Sequence, residues 1–458
     1  MPHHAPPARP LLERLYRDAV RDARPDVAVA AALARTVLPR GRLEAGPGHA
    51  MVHVFAVGKA APTMARAALA HCAGQAIPVA GGLCIAPSMP DDAERDALAP
   101  LACVTGDHPV PGPASRAAAD AVGEWIATRV RQGDHVVVLV SGGTSSLLAA
   151  PLPGLTDADV HALGAALLHC GLPIDAVNRV RRRVHRWGGG RLGAAIGARG
   201  AACTTLLVSD VPGDTLPSIG SGPCAADPVP RDEVLQLLDA IAHVPAAVRA
   251  WVAADRADGA MPGASDTRVL HVRQEIVASS ALLAGAAQEA AWRAGLHAET
   301  SVARLGGDAA DAGSAFAAAL LAARARRDLR GTKAAATVRI AVGEPVVHVA
   351  DPARALGGRM QHFALAAART LHDAGDAAEG LAILAAGSDG RDGPTDAAGA
   401  VVDCHTWSVI RAAGHDPARA LAECRSYLAL DAVDATIRAF DSGTNVNDLV
   451  LGLDVPAA

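Results

Sequence analysis

Leu12, Leu15 and Ala19 recur at helical spacing within an apolar-periodic stretch from Leu11 to Val37, which predicts one or two helices. A short unbroken apolar run, Val52-His-Val-Phe-Ala-Val57, then meets Gly58-Lys59-Ala60-Ala61 and a helix through Ala70. The same strand, loop and helix grammar returns at Val136–Val140 followed by Ser141-Gly-Gly-Thr-Ser145, and at Thr205–Val208 followed by Ser209-Asp-Val-Pro-Gly-Asp214. Strands that are apolar throughout and end in small or polar loops belong to a mostly parallel sheet covered on both faces. From about Arg231 to Arg330 the pattern is Ala-rich and helical, notably over Ser280–Ala294 and Asp311–Arg327, and reads as connecting structure. A second α/β unit begins near Ala336, with strand candidates at Val338–Val342, Pro345–Val349 and Leu381–Ala385. A turn over Ala353–Gly358, a helix from Met360 to Ala374 and a Gly/Asp-rich loop from Gly387 to Asp396 complete it. The expected organisation is an N-terminal α/β domain over 11–240, a helical connecting region over 241–335 and a smaller α/β domain over 336–455.

A chain of 458 residues is too long for one ordinary core, which agrees with two α/β domains. Aromatic residues make up only 2%, so the core is built from Leu, Val, Ile and Ala, and base stacking on nucleic acid is disfavoured. A net charge of -5 leaves no basic stripe for a polyanion. The local run Arg179, Arg181, Arg182, Arg183 and Arg186 is the exception, and its plain reading is a solvated helix face. Eight scattered cysteines show no CxxC pair and no zinc-like spacing, and read as buried, reduced thiols. With no signal-like apolar segment and no stretch able to span a bilayer, the expectation is a soluble cytoplasmic protein without membrane or nucleic-acid partners.

In a doubly wound sheet ligands bind beyond the carboxyl ends of the strands, so chemistry is sought in the loops. Ser141, Gly142, Gly143, Thr144 and Ser145 can bring backbone N–H groups to a phosphate at a helix N-terminus, and the same residues also make a plain strand-to-helix turn. Gly58-Lys59 can set an ammonium beside a phosphoryl oxygen, although a lysine after a strand is commonly a surface residue. Asp210 and Asp214 can hold Mg²⁺ or serve as Asx-turn and capping residues. No G-x-x-x-x-G-K-[ST] sequence is present. Gly188-Gly-Gly-Arg-Leu-Gly193 satisfies G-x-G-x-x-G but follows Arg- and His-rich residues where an apolar strand is required, so it is not read as a dinucleotide site.

These loops occur in a series, from Val57-Gly-Lys-Ala-Ala61 through Thr105-Gly-Asp-His-Pro-Val-Pro-Gly112, Ser141-Gly-Gly, Gly189-Gly-Arg191, Ser209-Asp-Val-Pro-Gly-Asp214 and Ser221-Gly-Pro223 to Asp389-Gly390 with Asp392-Gly-Pro-Thr-Asp396. In order and spacing, over about Leu11 to Leu451, the series resembles the glycerate 2-kinase family. Gly357-Gly-Arg359 with Gln361, and Gly443-Thr-Asn-Val-Asn-Asp448, resemble the signatures of its C-terminal MOFRL domain. The resemblance implies a Rossmann-like N-terminal domain, a smaller MOFRL domain, an active site in the cleft between them, and ATP- and Mg²⁺-dependent phosphorylation of the 2-hydroxyl of D-glycerate. Family members also carry the name hydroxypyruvate reductase, which the failed dinucleotide motif speaks against here.

By the same resemblance Lys59, Arg359, Asp210 and Arg191 are the catalytic candidates. Gly58, Ser141 to Ser145 and Asn447 are candidates for the nucleotide, and Asp210, Glu344 and Asp389 for metal coordination or for accepting the hydroxyl proton. A small hydroxy acid is the implied partner, and a homodimer is left open. The chain departs from the family pattern at Arg182, Arg183, Gly188, Pro345, Met360 and His362, which points to an altered acceptor, a non-kinase reaction on the same scaffold or a non-catalytic ligand-binding protein as alternatives.

Overall fold

The computed structural model describes residues 8–39, 50–211, 213–226, 229–254, 260–301, 303–329, 336–351 and 355–456. It contains two compact units, one of them Pro25–Ala278 and the other formed by the chain up to Arg24 together with the chain from Ser279 onward. The first unit is thus inserted into the second.

The inserted unit is built on strands β1 (Val52–Val57), β2 (Val79–Ala86), β3 (Leu101–Thr105), β4 (His135–Val140), β5 (Ala202–Val208) and β6 (Val272–Ala278). Every pairing is parallel and the order is β3-β2-β1-β4-β5-β6, the Rossmann arrangement. β1 and β4 lie at the centre and are buried along their whole length, which is why both are unbroken apolar runs. With period-two alternation, Val136, Val138 and Val140 of β4 share a core with Phe55 and Val57 of β1 and with Ala118, Val122 and Ile126 of the helix Pro113–Thr128. Burying each such branched side chain contributes roughly 1.5–3 kcal/mol. At the start of β1 the buried His53 ring bridges Trp125 and Asp134. Indole Nε1–H only donates, so His53 Nδ1 accepts it at 3.1 Å and Nε2–H donates to Asp134 Oδ2 at 3.0 Å.

The enclosing unit carries β7 (His297–Thr300), β8 (Thr337–Gly343), β9 (Leu381–Gly387), β10 (Ala397–Asp403), β11 (Thr436–Arg438) and β12 (Asp448–Asp454). Their order is β11-β10-β9-β12-β8-β7, with β7 and β8 parallel and the other pairs antiparallel. The helix Arg359–Asp373 buries Met360, Phe363, Ala364, Ala367 and Leu371 in the core of this unit. Against it lies the helix Ala309–Leu329, which approaches so closely at Gly313 that a Cβ there would stand 2.2 Å from the Phe363 carbonyl oxygen. The helix Arg9–Asp22 also belongs here, with Leu12, Leu15, Tyr16 and Ala19 buried and Tyr16 Oη donating to the Gly387 carbonyl at 2.6 Å.

The structure departs from the sequence reading in three places. The region 241–335 is not a helical connector, because it supplies β6 to one sheet and β7 to the other, and the chain changes unit at Ser279. The N-terminal periodicity forms two helices, within the expectation, but Arg9–Asp22 belongs to the enclosing unit and only Pro25–Ala34 to the inserted one, so the first domain does not begin at residue 11. Pro345–Val349 is not a strand: only an isolated bridge from Val346 to Asp308 forms, and Pro345 has no N–H to give a ladder. Of the turn expected over Ala353–Gly358, Ala353 and Arg354 lie outside the described residues.

Candidate active site

In the inserted unit the strand order reverses between β1 and β4, and their loops interlock there. The Ser141 N–H donates to the Val57 carbonyl at 3.0 Å, and the Lys59 N–H to the Gly142 carbonyl at 2.9 Å. The Ala60 N–H donates to Ser141 Oγ at 3.1 Å, while Thr144 Oγ1 lies 2.9 Å from the Val57 carbonyl and 2.8 Å from that of Ser141. Two of the hydroxyls expected to cradle a phosphate therefore hold the loops together instead. Ser145 Oγ is likewise 2.7 Å from Ser221 Oγ. Gly58 has φ +125°, and a Cβ on it would stand 2.1 Å from Ser141 Oγ. Gly58→Ala is accordingly expected to cost about 2–4 kcal/mol from backbone strain and overpacking, read as a lower urea midpoint. An unchanged midpoint would show that the two loops do not abut as described.

Around this frame the structure gathers Lys59, His108, Arg181 and Asp210. Lys59 and Asp210 are exposed at the ends of β1 and β5. The Asp210 carboxylate lies 2.8 Å, and the His108 ring 3.0 Å, from where Cβ atoms on Gly142 and Gly143 would stand. Burial, with Lys59 and Arg181 adding positive charge, holds His108 below its ordinary pKa and so favours the neutral ring at pH 7. Arg181 Nη1 is 3.4 Å from Asn178 Oδ1. The sequence reading named Lys59 and Asp210 but gave neither His108 nor Arg181 a role; the signal for His108 was its place in the loop after β3, whose neighbour in the sheet is β2.

The other basic residues have other occupations. Arg191, expected to be catalytic, donates from Nη1 to the carbonyls of Arg182 (2.7 Å), His185 (3.2 Å) and Gly188 (3.0 Å). Burial, with the Arg183 charge second, lowers its pKa to about 10. It braces the chain beyond the helix Ile174–Val184 by satisfying terminal carbonyls. Arg182 is buried with Nη1 2.8 Å from the Pro217 carbonyl, and Arg183 is buried too, so the basic run is no solvated face. The G-x-G-x-x-G sequence comes after the helix Ile174–Val184 and runs into the helix Arg191–Gly197, so a helix and not a strand leads into it.

In the enclosing unit Arg359 opens its helix and makes a bidentate pair with the buried Asp448, Nε to Oδ2 at 2.6 Å and Nη2 to Oδ1 at 3.1 Å. Its Nη1 reaches Glu344 Oε1 at 2.9 Å. Asn447, in the left-handed region at φ 70°, extends the network once its amide is oriented to satisfy its neighbours. It then donates to Glu344 Oε2 at 3.0 Å and accepts from Ser280 Oγ at 2.8 Å and from Arg304. Glu344 and Asn447 are thus bound up in holding Arg359. Asp392 caps the same helix, accepting from the N–H groups of Met360 (3.0 Å) and Gln361 (2.7 Å). Burial still pushes its carboxyl up to about 6, and burial pushes Asp448 up as well against the pull of Arg359. Neither Asp392 nor Asp448 was among the expected site residues.

A cavity of about 490 Å³ opens here, lined in part by Gly357, Arg359, His362, Asp389, Arg391 and Asp392. The His362 ring, lowered in pKa by burial, lies 3.0 Å from Ser426 Oγ. Asp389 is half-buried on the loop after β9, and its Oδ1 accepts the Arg391 N–H at 3.0 Å. Asp389 and Asp392 on one cavity are hard oxygen donors of the kind that suits Mg²⁺. The three residues expected to bind metal do not fall together in one unit: Glu344 and Asp389 are in the enclosing unit and Asp210 in the inserted one.

Residues 11–253 match a family model described as a domain of unknown function, DUF4147, and residues 337–448 match the MOFRL family. The D-glycerate 2-kinase of Thermotoga maritima is 33% identical over 348 residues, 76% of this chain and 79% of its own length. The chain belongs to the glycerate 2-kinase family. A protein of this similarity group from Agrobacterium vitis, which bears a provisional hydroxypyruvate reductase name, is 33% identical over 445 residues, covering 96% of this chain and 93% of itself. The crystal structure of a glycerate kinase from Thermotoga maritima superposes with a TM-score of 0.81 at 30% identity, over 97% of this chain and 99% of that one. The family's two α/β domains are those described above. No helix among the described residues is long and apolar enough to cross a membrane.

Proposed function

We propose that the protein transfers the terminal phosphoryl group of ATP to the 2-hydroxyl of D-glycerate, giving 2-phosphoglycerate. The observation that carries this reading is the interlocked pair of loops, Gly58–Lys59 and Ser141–Ser145, at the point where a 3-2-1-4-5-6 sheet reverses its order, with Lys59, His108 and Arg181 gathered at it. The positive charge of Lys59 and Arg181 favours a phosphate or a carboxylate, and the neutral His108 ring can hydrogen-bond to it. Lys59 is assigned to the oxygens of the transferred phosphoryl group, where a compact ammonium stabilises charge as it develops. Arg181 is assigned to the glycerate carboxylate, and Asp210 to acceptance of the hydroxyl proton. Arg359, its fork given to Asp448 and Glu344, lines the cavity, and the N–H groups of Nη1 and Nη2 beyond those two bonds are what it can present to an anion. Asp389 and Asp392 would hold Mg²⁺, whose chemistry when bound is to neutralise phosphate charge.

The reductase name borne by the Agrobacterium vitis relative finds no support in the loops, because hydride transfer from a dinucleotide would need a glycine fingerprint after a strand. The test is ADP release with Mg²⁺-ATP and D-glycerate, run beside a panel of small hydroxy acids and polyols. Glycerate-dependent turnover is expected. Turnover with another acceptor alone would assign the chain a changed specificity, and silence with every acceptor would overturn the kinase reading.

A further inference from the structure

At the opposite end of β9 from the Asp389 loop, three side chains of different chemistry converge. Glu379 stands two residues before the first residue of β9, with Gly380 between, and Cys404-His405 directly follows β10. Cys404 Sγ lies 3.7 Å and His405 Nε2 3.2 Å from the same oxygen, Glu379 Oε1, and all three donor atoms fall within 4.8 Å of one another. Bonds of about 2.3 Å to sulfur and about 2.0 Å to nitrogen or oxygen put the corners of a tetrahedral zinc site roughly 3.3–3.6 Å apart. The observed spacings need shifts of only a few tenths of an ångström for the two measured pairs.

The turn is also held from behind. Asp403 Oδ1 accepts the N–H groups of His405 (3.0 Å) and Thr406 (2.9 Å) and the Thr406 hydroxyl (2.8 Å), fixing the backbone that carries both the thiol and the imidazole. His372 Nδ1 lies 3.3 Å from the Cys404 carbonyl, and Arg324 donates to the Glu379 carbonyl. Outer contacts of this kind orient ligands before a metal arrives. Cys404 is buried whereas Glu379 and His405 are exposed, so the cluster opens to solvent on one side.

We infer that Glu379, Cys404 and His405 form a Zn²⁺ site that ties the start of β9 to the end of β10 and leaves a fourth position open to water or a small ligand. On binding, the Cys404 thiol gives up its proton to solvent and the thiolate donates an electron pair to the metal; no oxidation state changes. β9 has seven residues at about 3.3 Å each, so this site is separated from the Asp389 cavity by most of the strand's length.

The test uses the full chain with Co²⁺ as a spectroscopic substitute, and then Zn²⁺ competition. One equivalent of Co²⁺ is expected to give a thiolate-to-cobalt charge-transfer band and intense tetrahedral d–d bands, both displaced by Zn²⁺. Cys404→Ser should abolish the charge-transfer band, and His405→Ala and Glu379→Gln should each weaken binding at least tenfold while the far-ultraviolet dichroism stays unchanged. Zn²⁺ should raise the melting temperature of the wild type but not of Cys404→Ser. Absence of the band in the wild type, or its survival in Cys404→Ser through other thiols, would overturn the assignment.

Discussion

Replacing Lys59 by alanine should cut kcat for glycerate phosphorylation by about 10²–10³-fold, equivalent to about 2.7–4 kcal/mol of lost transition-state stabilisation. The side chain is exposed and its backbone N–H stays tied to the Gly142 carbonyl, so the substitution removes a charge without unlocking the two loops. The urea midpoint should therefore remain that of the wild type. Lys59→Arg should recover little, because a planar guanidinium cannot stand where a compact ammonium acts as a point charge. Steady-state kinetics beside an unfolding curve check both halves. Full activity in Lys59→Ala would remove Lys59 from the chemistry.

A different pattern is expected for Arg359→Ala, where stability and activity should fall together. Asp448 is 2% exposed at its side chain and loses its bidentate partner. Breaking a fully buried pair costs roughly 3–5 kcal/mol, and the loss here is smaller because the Arg359 side chain is 35% exposed. The pH dependence distinguishes this cause from lost packing. Burial already raises the Asp448 carboxyl from 3.8 to about 7 with Arg359 opposing the rise, so removing Arg359 raises it further. A carboxyl whose folded pKa lies above its unfolded pKa binds more protons when folded, and stability falls as pH rises between those two values. The gap between variant and wild type should accordingly be small at pH 5 and widen as the pH passes 7, as measured by urea midpoints at several pH values. A gap constant with pH would mean that Asp448 stays neutral throughout.

How much of this was legible depends on where each strand sits. β1, β4 and β9 are central and wholly buried, and their sequences show it as apolar runs ending in small-residue loops. β6, Val272-Arg-Gln-Glu-Ile-Val-Ala278, and β7, His297-Ala-Glu-Thr300, are edge strands with exposed positions, and their charged residues hid them inside a helical reading. β2 was hidden by Gly81-Gly82, which looks like a turn; a Cβ on Gly82 would stand 1.9 Å from the Val54 carbonyl oxygen of the neighbouring strand. Among the site residues, loop position pointed to Lys59 and Arg359, while sequence could not show that Ser141, Thr144 and Arg191 direct their polar atoms at backbone. For the two hydroxyls those occupations depend on segments distant along the chain, Ala60 to Ser141 and Thr144 to Val57, and for Arg191 on how the chain folds back beyond the helix Ile174–Val184. The Glu379, Cys404 and His405 cluster was invisible for the same reason, since Glu379 stands on one strand's approach and the other two on the exit of the next.

The enclosing unit keeps its last strand at its centre: β12 lies between β8 and β9, and the helix Arg9–Asp22 supplies part of the same unit from the other end of the chain. Tyr16 and its acceptor Gly387 are 371 residues apart. On a ribosome adding about 5–20 residues per second, that helix waits roughly 20–70 s before its partner emerges, with Leu12, Leu15 and Tyr16 uncovered meanwhile. The inserted unit, contiguous from Pro25 to Ala278, has every strand of its sheet available much sooner. Nascent-chain folding should thus proceed from the inserted unit outward, and the helix Arg9–Asp22, although made before every strand of its own sheet, is among the last elements to find its place.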